Sequence, residues 1–200
     1  MSQQSGAARE RILTEATRLF ATRGYTSTSV ADIQLACGRT AGSGALYKHF
    51  RSKRDLLAAV IGTHITTMRE GSQSFAAQLP DDLTGALRMI AQAVWAGMQR
   101  DHQALRVMLR DLDDFPELLE KLWSEVRANV YDEFTRWLRT QAESGTVHVA
   151  DPDATAAVLL ASLTYYPILD ALIGRTPGDI EADRFAEAWV QHAAVTLGHL

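Results

Sequence analysis

The chain has 200 residues, of which 46% are hydrophobic and 22% charged, so it can form a hydrophobic core and is neither disordered nor collagen-like. Its only cysteine, Cys37, excludes an internal disulfide and any metal site built from several thiolates. The polar N-terminus lacks the apolar core of a signal peptide, and the longest apolar run, residues 156–169, is too short for a membrane span. We therefore expect a cytoplasmic protein with no membrane partner and no cofactor.

The net charge of −4 is unevenly distributed along the chain. Residues 1–54 contain nine Lys and Arg against three Asp and Glu, a net charge of +6, whereas residues 55–200 have a net charge of −10. A basic segment attached to an acidic body indicates a polyanion-binding module joined to a domain with a different task. Chance clustering of charges on solvated helix faces is the alternative.

The hydrophobic periodicity is helical nearly throughout, which predicts an all-α protein of about nine helices. A first amphipathic helix ends before Gly24, a typical C-terminal capping residue. A capping-box pattern that begins at Ser29 predicts a second helix over residues 30–36. A third short helix is predicted to end near Phe50. Because short helices joined by a glycine turn are typical of a helix-turn-helix, residues 1–54 are predicted to form a three-helix DNA-binding domain.

The remaining residues, 55–200, are predicted to form a C-terminal helical domain. A long helix begins near Ser52, and Pro116 and Pro152 suit the first turns of two later helices. Pro167 lies inside an otherwise apolar helix and is expected to kink or break it, because proline lacks the amide N–H that the helix needs.

Candidate DNA-binding residues lie in and beside the helix-turn-helix. Hydroxyl, imidazole and amine groups can donate to phosphates, and a cation at Lys53 would oppose the dipole of its helix unless a phosphate lay nearby. The predicted DNA-binding residues are Thr28, Ser29, Arg39, Thr40, Ala41, Ser43, Gly44, Tyr47, Lys48, His49 and Lys53. Packing between helices is the alternative for Tyr47 and His49 and the expected role of Phe50.

A specific residue pattern runs through the same segment. Its members are Gly24-Tyr25, Thr28-Ser29-Val30-Ala31-Asp32-Ile33, Ala36-Cys37-Gly38, Gly44-Ala45-Leu46-Tyr47-Lys48-His49-Phe50 and Ser52-Lys53. Over residues 9–60 this pattern resembles the TetR family of bacterial transcriptional regulators. The resemblance implies a homodimer, a palindromic double-stranded DNA operator, and a helical body in which a ligand controls DNA affinity. The chain departs from the family pattern by one or two inserted residues before Tyr47. This insertion falls among Thr40, Ala41 and Ser43, the residues to which the family pattern assigns base reading.

Two further sets of residues are predicted in the body from helical spacing. The predicted dimer interface, for which packing within one chain is the alternative, comprises Leu159, Leu163, Phe185, Trp189 and His192. The predicted walls of a pocket for a small hydrophobic ligand, each placed on an inward-facing stripe, are His64, Met68, Met98, Trp123, Phe134 and Tyr165. A hydrogen-bonded core histidine is the other interpretation of His64, and Asp170 could lie either in a pocket or on the surface.

Together these features predict a ligand-responsive DNA-binding transcriptional regulator, a repressor that a small hydrophobic molecule releases from its operator. The alternatives are an activator of the same fold and a helical carrier of hydrophobic ligands without DNA binding. An enzyme is not predicted, because the acidic cluster of Asp111, Asp113, Asp114 and Glu117 has no nucleophile–base pair or phosphate loop beside it. No metal site is predicted, and Cys37 is expected to be a small buried residue, with a redox-sensing thiol as the alternative.

Overall fold

The computed structural model describes residues 2–40, 44, 46–72 and 75–198. This part of the chain contains nine α-helices and no β-strand, which confirms the predicted all-α fold. The helices are α1 (Ser2–Arg23), α2 (Val30–Ala36), α3 (Lys53–Ser72), α4 (Leu83–Arg100), α5 (His102–Asp111), α6 (Pro116–Val126), α7 (Asp132–Glu143), α8 (Pro152–Ile173) and α9 (Ala182–Thr196). A π-helical segment, Arg127–Tyr131, joins α6 to α7 as one continuous helical stretch.

Several helix ends lie where the capping residues place them. The amide of Gly24 donates to the carbonyl of Phe20 over 2.9 Å, and its φ of +95° is accessible to glycine at little cost. The side chains of Asp82 and Asp151 accept backbone N–H groups in the first turns of α4 and α8. Because these residues satisfy amides that the helix itself leaves free, they fix where each helix begins.

Two predicted features of the helices lie near prolines and glycines. The predicted third helix falls largely on residues 41–43 and 45, which lie outside the described residues, and the described residues before Phe50 include a 3₁₀ turn, Leu46–Lys48. In α8, Pro167 is buried and the helix continues past it to Ile173 instead of breaking. The missing N–H of Pro167 therefore removes one hydrogen bond without ending the helix.

The length of α8 also corrects a prediction. Over Pro152–Ile173 this helix is long and apolar enough to cross a membrane by length and composition, although residues 156–169 alone are too few. A helix packed into a protein core meets the same criterion, and α8 buries Leu159, Leu160 and Leu163.

The helices pack into two compact units with separate cores. Unit 1 comprises Met1–Thr66 and Gln103–Leu122, and unit 2 comprises Thr67–His102 and Trp123–Leu200. The sequence predicts two continuous segments divided after residue 54, whereas unit 1 also takes in residues 103–122. The functional boundary at residue 54 stays a prediction.

Each core draws on several helices of its own unit. The core of unit 1 includes Phe20, Ile33, Leu46, Leu57 and Val107, and it therefore joins α1, α2, α3 and α5. The core of unit 2 includes Leu87, Leu138, Leu159, Leu163 and Trp189, from α4, α7, α8 and α9. Phe50 is buried in the core of unit 1, as predicted.

Candidate functional site

The first turn of α2 is fixed by a reciprocal capping box. The backbone N–H of Asp32 donates to Ser29 Oγ over 3.1 Å, and the backbone N–H of Ser29 donates to Asp32 Oδ2 over 2.8 Å. The Ser29 hydroxyl also donates to the Asp32 carboxylate, and this bond is the main reason that the pKa of Asp32 is lowered. α2 therefore begins where the capping-box pattern predicts it. Because Ser29 is exposed, the N-terminus of α2 is accessible to a phosphate.

Thr28 does not have the exposed position that a DNA contact needs. Its side chain is fully buried, and its hydroxyl donates to the carbonyl of Gly24 over 2.8 Å. The predicted DNA-binding role of Thr28 is therefore wrong: the hydroxyl closes the turn between α1 and α2 instead. Sequence alone does not separate this use from the exposed capping role of its neighbour Ser29.

Lys53, the first residue of α3, also makes internal contacts. Its ammonium donates to the carbonyls of Tyr25 and Thr28, each over 2.9 Å, and lies 4.1 Å from the centroid of the Tyr25 ring. Burial lowers the pKa of Lys53, and the two acceptors and the aromatic ring offset that cost. Because a cation at a helix N-terminus opposes the helix dipole, Lys53 needs a partner, as the sequence indicates. That partner lies within the protein. These contacts argue against the predicted phosphate role.

The other predicted DNA-binding residues mostly point to solvent. Arg39, Thr40, Tyr47 and Lys48 are exposed, and Gly44 and His49 are half-buried. Ala41 and Ser43 lie outside the described residues. Tyr47 is 58% exposed, which favours a phosphate contact over the packing alternative for this residue.

Three more arginines join this surface, and the sequence interpretation missed them. Arg9, Arg11 and Arg51 are exposed. The guanidinium carbon of Arg9 lies 5.2 Å from the centroid of the Phe50 ring, and Arg11 Nη2 would lie 3.8 Å from a Cβ on Gly38. The packing of α1 thus brings Arg11 to the start and Arg9 to the end of the segment between α2 and α3. The positive net charge of residues 1–54 includes these arginines, but only the packing shows where they lie.

We call the exposed Arg9, Arg11, Arg39, Lys48 and Arg51 the basic surface. None of the ion pairs found among the described residues includes any of the five. By contrast, Arg23 is close to Asp32 and Arg54 is paired with Glu117. The basic surface therefore keeps a positive charge that is not neutralised by the protein's own carboxylates, as expected of a polyanion-binding face.

The predicted ligand-wall residues are not a uniform inward-facing set. Phe134 is buried and stacks on Trp137, and His64, Met68 and Met98 are half-buried. Trp123 and Tyr165 are 53% and 56% exposed, so their placement on inward stripes is wrong. Helical spacing groups residues on one face but does not decide whether that face points inward.

Unit 2 contains an aromatic cluster that the sequence interpretation did not single out. Trp95 of α4 lies 5.3 Å from Phe185 of α9 and 6.3 Å from Tyr166 of α8, measured between ring centroids. Trp95 is only 9% exposed, and its indole N–H finds no acceptor among the described residues. A buried donor without an acceptor costs roughly 1–3 kcal/mol, so this N–H is available to a molecule that brings an acceptor.

Two cavities of about 210 and 310 Å³ open at the surface of unit 2. The smaller is lined by Arg88, Gln92, Asp183, Ala186 and Glu187, and the larger by Leu79, Pro80, Asp81, Leu83, Ala86, Trp137, Thr140 and Gln141. Neither is lined by a predicted ligand-wall residue. The larger one just reaches the ~300 Å³ at which ligand pockets begin.

The predicted dimer residues divide between the interior and the surface. Leu159, Leu163 and Trp189 are buried within one chain, and the Trp189 indole N–H lies 3.1 Å from the carbonyl of Leu159. These three cannot form an interface, and the alternative of packing within one chain is correct for them. His192 is exposed, and Phe185 is half-buried and stacked on Tyr166.

The opposite face of α8 carries exposed apolar side chains. Val158, Tyr165, Leu172 and Ile173 are between 37% and 65% exposed. Their spacing of seven residues from Val158 to Tyr165 and again to Leu172 places these three on one stripe. The sequence pattern of α8 is apolar all round, so it gave no reason to prefer this face over the buried one.

The acidic cluster and Cys37 have local structural explanations. Asp111 and Glu117 bind the Tyr25 amide and the Arg54 side chain, and Asp113 and Asp114 are exposed. Among the described residues, no group of three or more possible ligands could hold a metal ion. Cys37 is buried, and burial raises the pKa of its thiol, which opposes a reactive thiolate.

Comparison with known proteins gives two family matches. The model of the bacterial regulatory proteins of the tetR family matches residues 12–60, and that of the AefR-like transcriptional repressor C-terminal domain matches residues 85–195. Both describe regulators, and neither describes an enzyme.

Curated relatives match parts of the chain. The chain is 35% identical over 88 residues to the HTH-type transcriptional regulator AcrR of Shigella flexneri, covering 44% of this chain and 40% of that protein. It is 30% identical over 115 residues to the uncharacterized HTH-type transcriptional regulator YerO of Bacillus subtilis, covering 54% and 37%. The chain thus spans less than half the length of either relative.

Solved structures resemble nearly the whole chain. The TetR-family regulator PfmR of Thermus thermophilus is 24% identical with a TM-score of 0.73, and 96% of each chain is covered. A tetR-family regulatory protein of Rhodococcus RHA1 is 22% identical with a TM-score of 0.74, covering 95% of this chain and 96% of that one. The fatty acid degradation regulator FadR of Bacillus halodurans is 17% identical with a TM-score of 0.72, covering 92% and 93%. At these identities the likeness shows the fold.

Proposed function

This chain belongs to the TetR family of bacterial transcriptional regulators, and we propose that it acts in the cytoplasm as a homodimeric repressor that a small hydrophobic ligand releases from a palindromic operator. The observation that carries the DNA-binding part is the basic surface, whose five exposed cations lie on α1 and on the chain that follows the capped helix α2. Such cations bind phosphates without reading sequence, and side chains from residues 39–47 would read bases in the major groove.

The exposed stripe of α8 supports the homodimer. An apolar stripe of Val158, Tyr165 and Leu172 is costly to leave in water, and a second copy of α8 would cover it by an isologous two-fold contact. A two-fold dimer presents two helix-turn-helix motifs at a fixed separation, which matches the two half-sites of a palindrome. His192, exposed on α9, stays a predicted member of this interface.

The Trp95 cluster supports a ligand site in unit 2 and narrows the chemistry of the ligand. The surroundings of the Trp95 indole are aromatic, and its N–H is a donor without an acceptor among the described residues. The ligand that fits is a neutral hydrophobic molecule carrying a carbonyl, ether or hydroxyl oxygen. Met98 lies one helical turn from Trp95 on the same face of α4, which keeps it among the proposed contacts.

The proposed mechanism is a shift between two populations of the dimer. α3 is one continuous helix from Lys53, in unit 1, to Ser72, in unit 2, so a ligand-dependent displacement of its second half alters the position of its first. Because operator half-sites have a fixed separation, a changed spacing of the two motifs lowers DNA affinity. Reciprocity requires that operator DNA weakens ligand binding by the same factor.

Selection of genomic DNA fragments by the purified protein tests the function. The expected result is enrichment of fragments that share a palindromic sequence, with gel-shift binding that competitor DNA of random sequence does not abolish. In a reporter assay with the selected fragment, lower transcription in the presence of the protein supports a repressor, and higher transcription indicates an activator. Absence of binding to any duplex contradicts a DNA-binding function and favours a ligand carrier.

Thermal melting in the presence of hydrophobic compounds tests the ligand. A ligand at 100 times its dissociation constant stabilises the fold by ~2.7 kcal/mol, which is a measurable shift in melting temperature. Neutral compounds with an oxygen acceptor should stabilise the wild type, and Trp95→Phe, which removes the N–H but keeps an aromatic ring, should reduce the shift. Equal shifts in the wild type and in Trp95→Phe would remove Trp95 from the site.

A further inference from the structure

Pro167 leaves one backbone carbonyl of α8 without its helical donor. In an α-helix the carbonyl of Leu163 accepts from the N–H of residue 167, and proline has no N–H. Leu163 and Pro167 are both buried, so the carbonyl between them lies on the buried face of the helix. A buried carbonyl that lacks a donor costs free energy comparable to a lost hydrogen bond, so this group favours any molecule that brings an N–H or O–H to it.

The hydroxyl groups nearest to this carbonyl along the chain donate elsewhere. Ser162 Oγ and Thr164 Oγ1 each donate over 2.8 Å to a carbonyl in the preceding turn of α8. The hydroxyl of Tyr166 donates to the carbonyl of Pro177. These three side chains therefore do not replace the donor that Pro167 removes.

Trp95 brings an unused donor to the same part of α8. α4 packs against α8, and the Trp95 ring lies 6.3 Å from the ring of Tyr166, one helical turn after Leu163. The indole N–H of Trp95 has no acceptor among the described residues, whereas the buried indole N–H of Trp189 donates to the carbonyl of Leu159 over 3.1 Å. The core of unit 2 thus combines a buried donor without an acceptor and a buried acceptor without its helical donor.

We propose that the ligand of the Trp95 site is an alcohol, whose oxygen accepts from the Trp95 indole N–H and whose O–H donates to the Leu163 carbonyl. This inference rests on the proposed ligand-binding function and narrows the ligand from any neutral molecule with an oxygen acceptor to one with a hydroxyl. A hydroxyl is donor and acceptor at one atom, whereas a ketone or ether oxygen only accepts. The rings of Tyr166 and Phe185 beside Trp95 favour an aromatic body for this alcohol.

Two isomeric probes, phenethyl alcohol and benzyl methyl ether, test the proposal. Each has one aromatic ring and one oxygen, and only the alcohol has an O–H to donate. Dissociation constants are measured on the full chain by NMR titration of indole and backbone N–H resonances, and the Trp95 indole is identified as the resonance that Trp95→Phe lacks. Both probes should shift this resonance, because both oxygens accept from Trp95.

Pro167→Ala supplies the missing N–H, so the Leu163 carbonyl regains its helical donor. Pro152→Ala is the matched control, because it makes the same substitution at the first residue of the same helix, where no helical bond needs the N–H. The wild type and Pro152→Ala should bind the alcohol about fivefold more tightly than the ether, the scale of one net hydrogen bond, and Pro167→Ala should bind the two equally. Trp95→Phe should weaken both probes by a similar factor and keep the preference.

The possible failures separate this proposal from the proposed function. If the wild type binds the two probes equally, or if the preference survives in Pro167→Ala, the Leu163 carbonyl does not receive the ligand and the proposal fails, while the Trp95 site stands. If neither probe shifts the Trp95 resonance of the wild type, the alcohol and the Trp95 site both fail, and the proposed DNA binding is unaffected. The comparison of the two probes in the wild type decides the proposal even if a variant does not fold.

Discussion

Unit 1 and unit 2 are stabilised by different kinds of contact between their helices. In unit 1, the side chains of Lys53 and Asp111 each bind a backbone group of another element, and that of Thr28 binds the carbonyl of Gly24 within the turn between α1 and α2. In unit 2, a charged contact such as that of Arg88 with Glu187 joins two exposed side chains, and the interior is packed with Leu, Ala and Trp. The bond from Trp189 to the carbonyl of Leu159 is the buried polar contact that most resembles those of unit 1.

This difference explains why unit 1 contains a recognisable sequence motif and unit 2 does not. A hydrogen bond to a particular carbonyl requires one residue type at one position, so it leaves a recognisable motif. Apolar packing requires only a suitable volume and tolerates exchange among hydrophobic residues. The motif around Gly24 to Lys53 is accordingly specific, whereas the residues after it show only helical spacing of apolar residues.

Replacement of two tryptophans of unit 2 gives the largest expected contrast. Trp189→Ala removes a buried ring and its hydrogen bond and should lower the free energy of unfolding by ~3–5 kcal/mol. Trp123→Ala, at a residue that is 53% exposed, should change it by at most about 1 kcal/mol. Chemical denaturation checks both values, and similar losses in the two variants would contradict the assignment of Trp189 to the core.

A charge on the exposed face of α8 should break the dimer without unfolding the chain. Val158→Arg places a cation on the proposed stripe, at a residue that is 65% exposed in one chain. We expect a monomer in light scattering, an unchanged helical spectrum, and a loss of affinity for a palindromic duplex of about 100-fold or more, because only one half-site is bound at a time. Ala157→Arg, an exposed neighbour off the stripe, is the control. A dimeric Val158→Arg protein would show that this face is not the interface.

Substitutions of Lys53 and Lys48 distinguish a lysine that supports unit 1 from within from a lysine that is exposed at its surface. Lys53→Met should lower the free energy of unfolding by ~1–3 kcal/mol, because the carbonyls of Tyr25 and Thr28 lose a charged donor. Lys48→Met, at an exposed lysine, should change stability by less than about 0.5 kcal/mol. Thermal denaturation distinguishes the two, and a stable Lys53→Met protein would weaken the internal role.

Removal of the capping box of α2 should cause the smallest loss of stability, and that loss should depend on pH. Ser29→Ala should cost ~1 kcal/mol of stability. The pKa of Asp32 is lowered in the folded protein, so its contribution is present at pH values above the unfolded pKa of about 4 and is lost as the pH falls through the folded value. The difference in melting temperature between the wild type and Asp32→Asn should therefore shrink below about pH 4. A difference that stays constant with pH would contradict the bond to Ser29.

The sequence predicts the helices and the motif well, but not which side chains face outward. Capping at Ser29 and Gly24 is local, so it can be derived from neighbouring residues. By contrast, the internal partners of Lys53 and the position of Arg9 beside Phe50 depend on segments that are distant in the chain. In unit 2, α8 is apolar on all sides, so periodicity could not tell the buried Leu159 from the exposed Val158.

The salt dependence of duplex binding tests the central claim that the exposed cations contact DNA while Lys53 supports the motif from within. Binding constants for a random duplex are measured from low to physiological salt for the wild type, Lys48→Met and Lys53→Met. We expect that Lys48→Met lowers the slope of log K against log salt by about 0.9, the value for one lost phosphate contact, and that Lys53→Met leaves the slope unchanged. A reduced slope in Lys53→Met with an unchanged slope in Lys48→Met would contradict it.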